Sequence, residues 1–176
     1  METCKAAHTP MEVALKLEKN ENDVELKKFP YQSLIGSSMY IALGTRPDIM
    51  HAVSYLSQYN TCYGEKHWKA CKRVLRYLQG TKELCLNYKK SGNPIEGFAD
   101  ADWASCTVDR RSYTGYCFMY GGAVISWESR KQRTVALSTC EAEFMSITEC
   151  CLEDMDIKHK KMTIYNDNLK IYVRIQ

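Results

Sequence analysis

Between Pro30 and Gly44 the apolar residues Leu34, Ile35, Met39, Ile41, Ala42 and Leu43 recur at roughly helical spacing, and Gly44 is placed to end the helix. Thr45-Arg46-Pro47-Asp48 follows with an N-cap candidate, a proline near the first helical position and an acid in the first turn. That predicts a second helix with Ile49, Val53 and Leu56 as its stripe. A third is predicted from about Glu65 to Gln79, with Trp68, Cys71, Leu75 and Leu78 on one face. Upstream, residues 1–29 are polar, charged and weakly periodic, which predicts an extended leader or linker without a core of its own.

After the linker Ser91 to Pro94 the period shortens to that of strands. Ile95 to Asp100 reads as the first, and Ser112 to Tyr120 pairs with Ala123 to Trp127 around the turn Gly121-Gly122. Thr134 to Leu137 is a short extension. Ser138 or Thr139 caps a helix, with Glu141 placed to close a capping box on Ser138, and Phe144, Met145, Ile147 and Leu152 are expected inward. Met162 to Tyr165 is a further buried strand. Strand, hairpin, helix, strand is the order of an α/β fold with a mixed sheet. The last strand can lie parallel to the first with the helix as crossover, so that both end on one sheet edge.

This topology would gather acids. Asp100 closes the first strand in IEGFADADW, Glu143 lies in the first turns of the helix, and Asp167 follows the last strand. Three carboxylates from three elements would form a site for a hard cation such as Mg²⁺ or Mn²⁺. Asp102 and Glu141 are weaker candidates, the former for a supporting or solvent-facing role and the latter for a helix cap.

Composition narrows the picture. At 176 residues, 45% hydrophobic and 26% charged, the chain has the make-up of a globular protein with a real core. The net charge of +3 is too mild to argue for nucleic acid, so the distribution of charge must carry that argument. Glu65 to Lys90 holds Lys66, Lys69, Lys72, Arg73, Arg76, Lys82, Lys89 and Lys90 against Glu65 and Glu83. Lys69, Lys72, Arg73 and Arg76 could track a phosphate backbone, although a solvated helix face has the same composition. The nine cysteines show no C-x-x-C spacing, and no apolar segment opens the chain, which argues for reduced thiols and an intracellular (cytoplasmic or nuclear) protein. No apolar run approaches the roughly 18 residues of a membrane span. His51, His67 and His159 share no helix face or ligand spacing, so structural or solvated roles are expected of them.

The stretch from Tyr31 to Asp167 resembles the C-terminal part of the copia-type retrotransposon Pol polyprotein. PYQSLIGSSMYIALGTRPDIMHAVSYLSQY and HWKACKRVLRYLQGTKE look like the helical tail of its reverse transcriptase, thumb- or connection-like, over residues 30–90. GFADADWA, DRRSYTGYCFMYGGAVISWESRKQRTVALSTCEAEFMSI and IYNDN look like its RNase H domain, over residues 95–176. The resemblance implies an RNase H-like domain that cuts the RNA strand of RNA–DNA hybrids, with Asp100, Glu143 and Asp167 as its metal-binding and catalytic acids. It implies two Mg²⁺ ions roughly 3.5–4 Å apart, bridged by Asp100, one activating water and one stabilising the leaving oxygen. The remaining Pol regions would be partners. Where the family continues after Asn168 with further elements and a fourth acid, this chain reads LKIYVRIQ, so the domain is expected to be incomplete at its C-terminus. No Tyr-x-Asp-Asp motif occurs, and polymerase activity is not expected. Two other readings stay open: a nucleic-acid-binding remnant without turnover, and a degenerate transposon fragment.

Overall fold

In two of the helices a polar side chain with a definite partner helps decide which face turns inward. The computed structural model describes residues 4–20, 28–90, 92–106, 109–152, 162–166 and 169–173, with the backbone alone at 151–152, 162 and 169–173. The chain forms two compact units, Met1–Cys85 and Leu86–Gln176.

In the first unit α1 (Tyr31–Gly44), a 3₁₀ turn (Pro47–Ile49), α2 (Met50–Ser57) and α3 (Glu65–Gly80) pack together. The buried stripe of α1 is Tyr31, Ile35, Ser38 and Ala42, which leaves Ile41 and Leu43 exposed despite their apolar character. Tyr31 sets that choice: its hydroxyl donates to the Leu56 carbonyl at 2.8 Å and its ring stacks on Tyr63, 4.6 Å between centroids. The predicted stripe of α2 is buried in full. On α3 the inward residues are His67, Cys71, Val74 and Tyr77, about one position from the predicted face. His67 Nδ1 accepts from the Gly64 N–H at 3.0 Å and holds the imidazole inside, while Trp68 stacks on Phe29 nearer the surface. Burial pushes the Cys71 thiol up to about 12, so it stays protonated as a small apolar group. Thr45 does not cap the second helix; Arg46 precedes the 3₁₀ turn with its guanidinium on Asp48, Thr81 Oγ1 and the Thr81 carbonyl.

Residues 4–20 have no core of their own, yet they run along the helices and close this unit's core. Leu17 is buried, its carbonyl accepting from the Tyr59 hydroxyl at 2.8 Å, and Asn20 is held by the carbonyls of Cys62 and Tyr63.

The second unit is a five-stranded mixed sheet in the order β3-β2-β1-β4-β5 with one helix. β1 (Glu96–Asp102) pairs antiparallel with β2 (Tyr113–Tyr120), which turns through Gly121 and Gly122, φ +62° and +86°, into β3 (Ala123–Lys131). Only glycine takes two such left-handed positions cheaply. From the hairpin the chain reaches α4 (Thr139–Leu152), then β4 (Met162–Asn166), which lies parallel to β1 as the topology predicts. β5 (Leu169–Val173) adds an antiparallel edge strand that the pattern did not predict. β3 also runs on to Lys131, and Thr134 to Leu137 is not strand. The buried Gln132 ends the ladder there by turning its amide onto Thr114 Oγ1 and the Ala142 carbonyl, each at 3.0 Å.

α4 covers one face of the sheet, where Ile95, Ala99, Tyr116, Phe118, Ile147, Cys150 and Ile164 form the core. It turns Ala142, Ser146, Ile147 and Cys150 inward; Phe144, expected there, is 70% exposed. The small side chains of Ala142 and Ser146 let the helix backbone approach the sheet where a phenyl ring would hold it off. Leu152, also expected inward, lies outside the residues whose side chains are described. Among the described residues no helix is long and apolar enough to cross a membrane.

Gly97 sits under this core. A Cβ there would lie 3.0 Å from Phe118 Cε1 and 3.2 Å from Ile164 Cγ1, so the absent side chain lets apolar side chains from both neighbouring strands close over β1. Gly97→Ala is expected to destabilise the chain by about 1–3 kcal/mol through overpacking, read from urea unfolding; an unchanged midpoint would show that the core yields freely at this point.

Candidate functional site

The parallel pair β1/β4 defines where a site can form. In an open sheet of this kind ligands bind beyond the carboxyl ends of parallel strands, where the chain leaves the ladder and side chains from several elements converge. The carboxyl end of β1 carries Asp100 and Asp102, and β4 ends at Asn166.

α4 supplies the third contribution through its first two turns. Ser138 and Glu141 form its start: Ser138 Oγ accepts from the Glu141 N–H at 3.2 Å, and the Glu141 carboxylate accepts from the Leu137 N–H at 2.7 Å. Glu141 is therefore a cap, as its position suggested. Two residues on, Glu143 is half-buried, and its Oε2 accepts from Asn166 Nδ2 at 2.7 Å. The same amide donates to the Ala99 carbonyl at 3.0 Å. One turn further, the buried Ser146 hydroxyl donates to the Asp100 carbonyl at 2.8 Å. Glu143 is thereby tied to the ends of both parallel strands, and the Asp100 backbone is tied to the helix that carries Glu143.

Asp100 itself is exposed. Strand alternation puts its side chain with Phe98 on the face opposite Ala99 and α4, so the carboxylate stands at the rim. On that face Phe98 stacks on Tyr165 of the parallel strand, centroids 5.2 Å apart. Asp102 is exposed, and Trp103 beside it donates its indole N–H to the Ala136 carbonyl at 3.2 Å. Asp167 lies outside the described residues, as does His159. Among the described residues no three His, Cys, Asp or Glu side chains form a group that could hold a metal ion. The two described acids still fit such an ion chemically: carboxylate oxygens are hard donors, and Mg²⁺ commonly takes one or two of them and fills its shell with water and phosphate.

The basic residues of α3 divide by what they touch. Lys69 is two-thirds exposed and pairs with Glu65 at 2.9 Å, and Lys72 is exposed with its ammonium 6.0 Å from the Trp68 ring. Arg73 and Arg76 are engaged instead. Arg73 donates to the Thr9 carbonyl, Thr9 Oγ1 and Glu12 Oε1, and Arg76 to the Lys5 carbonyl at 2.8 Å. They clasp residues 5–12 onto α3.

Two residues of the site escaped the sequence reading. Ser146 carried a signal, since it follows Glu143 by three and must share its helix face. Asn166 carried none, because its role depends on the β1/β4 register.

Over 96% of its length the chain is 39% identical to the retrovirus-related Pol polyprotein from transposon TNT 1-94 of Nicotiana tabacum. It is 40% identical over 87% of its length to the corresponding polyprotein from transposon RE2 of Arabidopsis thaliana. The chain spans 14% and 10% of those two polyproteins. It is also 46% identical, over 73% of its length, to the secreted RxLR effector protein 161 of Plasmopara viticola, and there it spans 91% of the relative. No family model and no solved structure matches it. Over most of its length the chain is thus similar to part of the retrovirus-related Pol polyproteins of plant transposons.

The tethering role of the two arginines is directly testable. Arg73→Ala with Arg76→Ala is expected to speed proteolysis within residues 4–20 severalfold and to lower stability by about 1 kcal/mol per arginine, since exposed charge-assisted bonds are screened by water. An unchanged cleavage pattern under limited proteolysis would show that Leu17, Tyr59 and Asn20 suffice to hold the segment.

Proposed function

We propose that the second unit is an RNase H-like domain of a copia-type Pol polyprotein, and that it hydrolyses the RNA strand of RNA–DNA hybrids with divalent cations. One observation carries this reading: the Glu143 carboxylate is anchored by Asn166 at the end of the strand that runs parallel to the Asp100 strand. Helix and strand ends are thus joined where a phosphodiester would have to lie.

Asp100 and Glu143 would hold the cation with oxygen donors, and Asp167, next after Asn166 in the chain, is the third acid of the proposal. Bound there, Mg²⁺ or Mn²⁺ supplies Lewis-acid polarisation of the phosphate and a more acidic water. The protein's own part is to fix the acids. Ser146 holds the β1 backbone at Asp100 against α4, and the capped start of that helix sets the position of Glu143. The exposed rim carboxylate of Asp100 needs no side-chain closure to meet a polymer substrate.

In the other unit, α3 offers Lys66, Lys69 and Lys72 as exposed cations for phosphate contact, with a sequence-independent and salt-dependent contribution. Arg73 and Arg76 are held by the amino-terminal segment and would add less than their charge suggests.

A labelled RNA–DNA hybrid incubated with the protein and Mg²⁺ should yield cut RNA and intact DNA, and removing the cation with EDTA should abolish the cut. Asp100→Asn and Glu143→Gln should each lower the rate by about 100-fold or more while hybrid binding persists. Binding without cleavage by the parent chain under these conditions would sink the nuclease reading and leave a nucleic-acid-binding module.

A further inference from the structure

The Asn166 side chain stands between two groups that can only accept hydrogen bonds. The Ala99 carbonyl lies 3.0 Å from Nδ2, and Glu143 Oε2 lies 2.7 Å from the same nitrogen. An –NH₂ group has two protons, one for each. A hydroxyl or thiol here could serve one acceptor but not both, and a carboxylate would oppose both. Half-buried at the last described position of β4, the amide is therefore matched in number and direction of donors to its surroundings. Among the described residues Glu143 makes no further hydrogen bond, so its other oxygen, Oε1, is left as a donor atom.

The consequences run in two directions. Through Ala99 the amide ties β4 to the residue immediately before Asp100, beyond the last residue pair of the β1/β4 ladder, Phe98 with Tyr165. Through Glu143 it holds a flexible side chain with three rotatable bonds in one arrangement. Ser146 acts from the other side, fixing the backbone of Asp100 itself. Two acids from different elements are thus linked through short polar bridges rather than through packing alone, and Asn166 is the member that touches both strand and helix.

We infer that Asn166 is a positioning residue for a divalent cation: its amide orients the Glu143 carboxylate, and sets the end of β1 that carries Asp100, so that the two can share one ion. The inference rests on the nuclease reading in so far as Asp100 and Glu143 are the ligands. Residues that orient metal ligands without touching the metal commonly change affinity by about 10–100-fold when removed, and that is the size of effect assigned here.

The test measures binding of Mn²⁺ alone by isothermal titration calorimetry, with circular dichroism and thermal unfolding on the same samples, for the full chain and for Asn166→Leu, Asn166→Ala, Glu143→Gln and Asp100→Asn. Leu keeps the approximate volume of the amide and removes both donors, while Ala removes them without adding an apolar branch, so a folding defect confined to one variant still leaves the other. The expected result is that both Asn166 variants fold and bind Mn²⁺ about tenfold or more weakly, and that Glu143→Gln on an Asn166→Leu background costs less than it does alone. A purely structural Asn166 would lower the unfolding temperature while the folded protein kept its Mn²⁺ affinity, and that result overturns the inference. If Asn166→Leu binds like the parent while Glu143→Gln does not, the positioning role falls and the nuclease reading stands. If the parent itself takes up no Mn²⁺, or loses none on Asp100→Asn and Glu143→Gln, the reading and the inference fall together.

Discussion

Parallel pairing of β1 with β4 is the constraint on which the second unit depends. Parallel strands cannot be joined by a tight turn, so the chain must leave the sheet, cross it and return, and α4 lies within that crossing. Once the crossing is made, the carboxyl ends of both strands lie side by side with the first turns of the helix over them. Gly97 makes the pairing close, because Phe118 and Ile164 fill the space that a side chain would need. The same step that buries the apolar core therefore also brings Glu143, Asn166 and the Asp100 backbone together.

Polar side chains with definite partners do much of the specifying elsewhere. Tyr31 and His67 determine which faces of α1 and α3 are buried, against the simpler ranking by hydrophobicity. Gln132, just past the end of β3, is held by its side-chain NH₂ on Thr114 Oγ1 and the Ala142 carbonyl, and Glu141 opens α4 by accepting the Leu137 N–H. Tyr31, His67 and Gln132 are buried, so each would lose polar partners at a penalty if the chain took another path, which is why a few such groups can override many weak apolar preferences.

The basic helix illustrates how tertiary contacts reassign residues of one type. Lys69 and Lys72 project outward, whereas Arg73 and Arg76 on the same helix secure residues 5–12. Guanidinium suits this use because its planar fork reaches several carbonyl and hydroxyl oxygens at once, which an ammonium on a flexible stem does less well. Charge counted along the sequence overstates what α3 has available for a phosphate backbone.

By itself the sequence determined the presence and order of most elements: three helices, then a strand, a hairpin, a helix and a strand returning parallel to the first. Periodicity, the Gly121-Gly122 turn and the Ser138/Glu141 cap are local signals, and local signals are legible without a fold. The mixed α/β class followed from their order. The edge strand β5 was not legible, because a short segment of ordinary composition becomes a strand only when β4 is beside it to accept its hydrogen bonds. The inward faces of α1, α3 and α4 shifted for the same kind of reason: whether Phe144 or Ser146 turns toward β1 depends on how closely the helix backbone must approach. Asp100 and Glu143 could be nominated as acids from their positions, but the bridge of Asn166 between Ala99 and Glu143 came only from the folded register. Two acceptors far apart in the chain meet a single amide only after the sheet has formed.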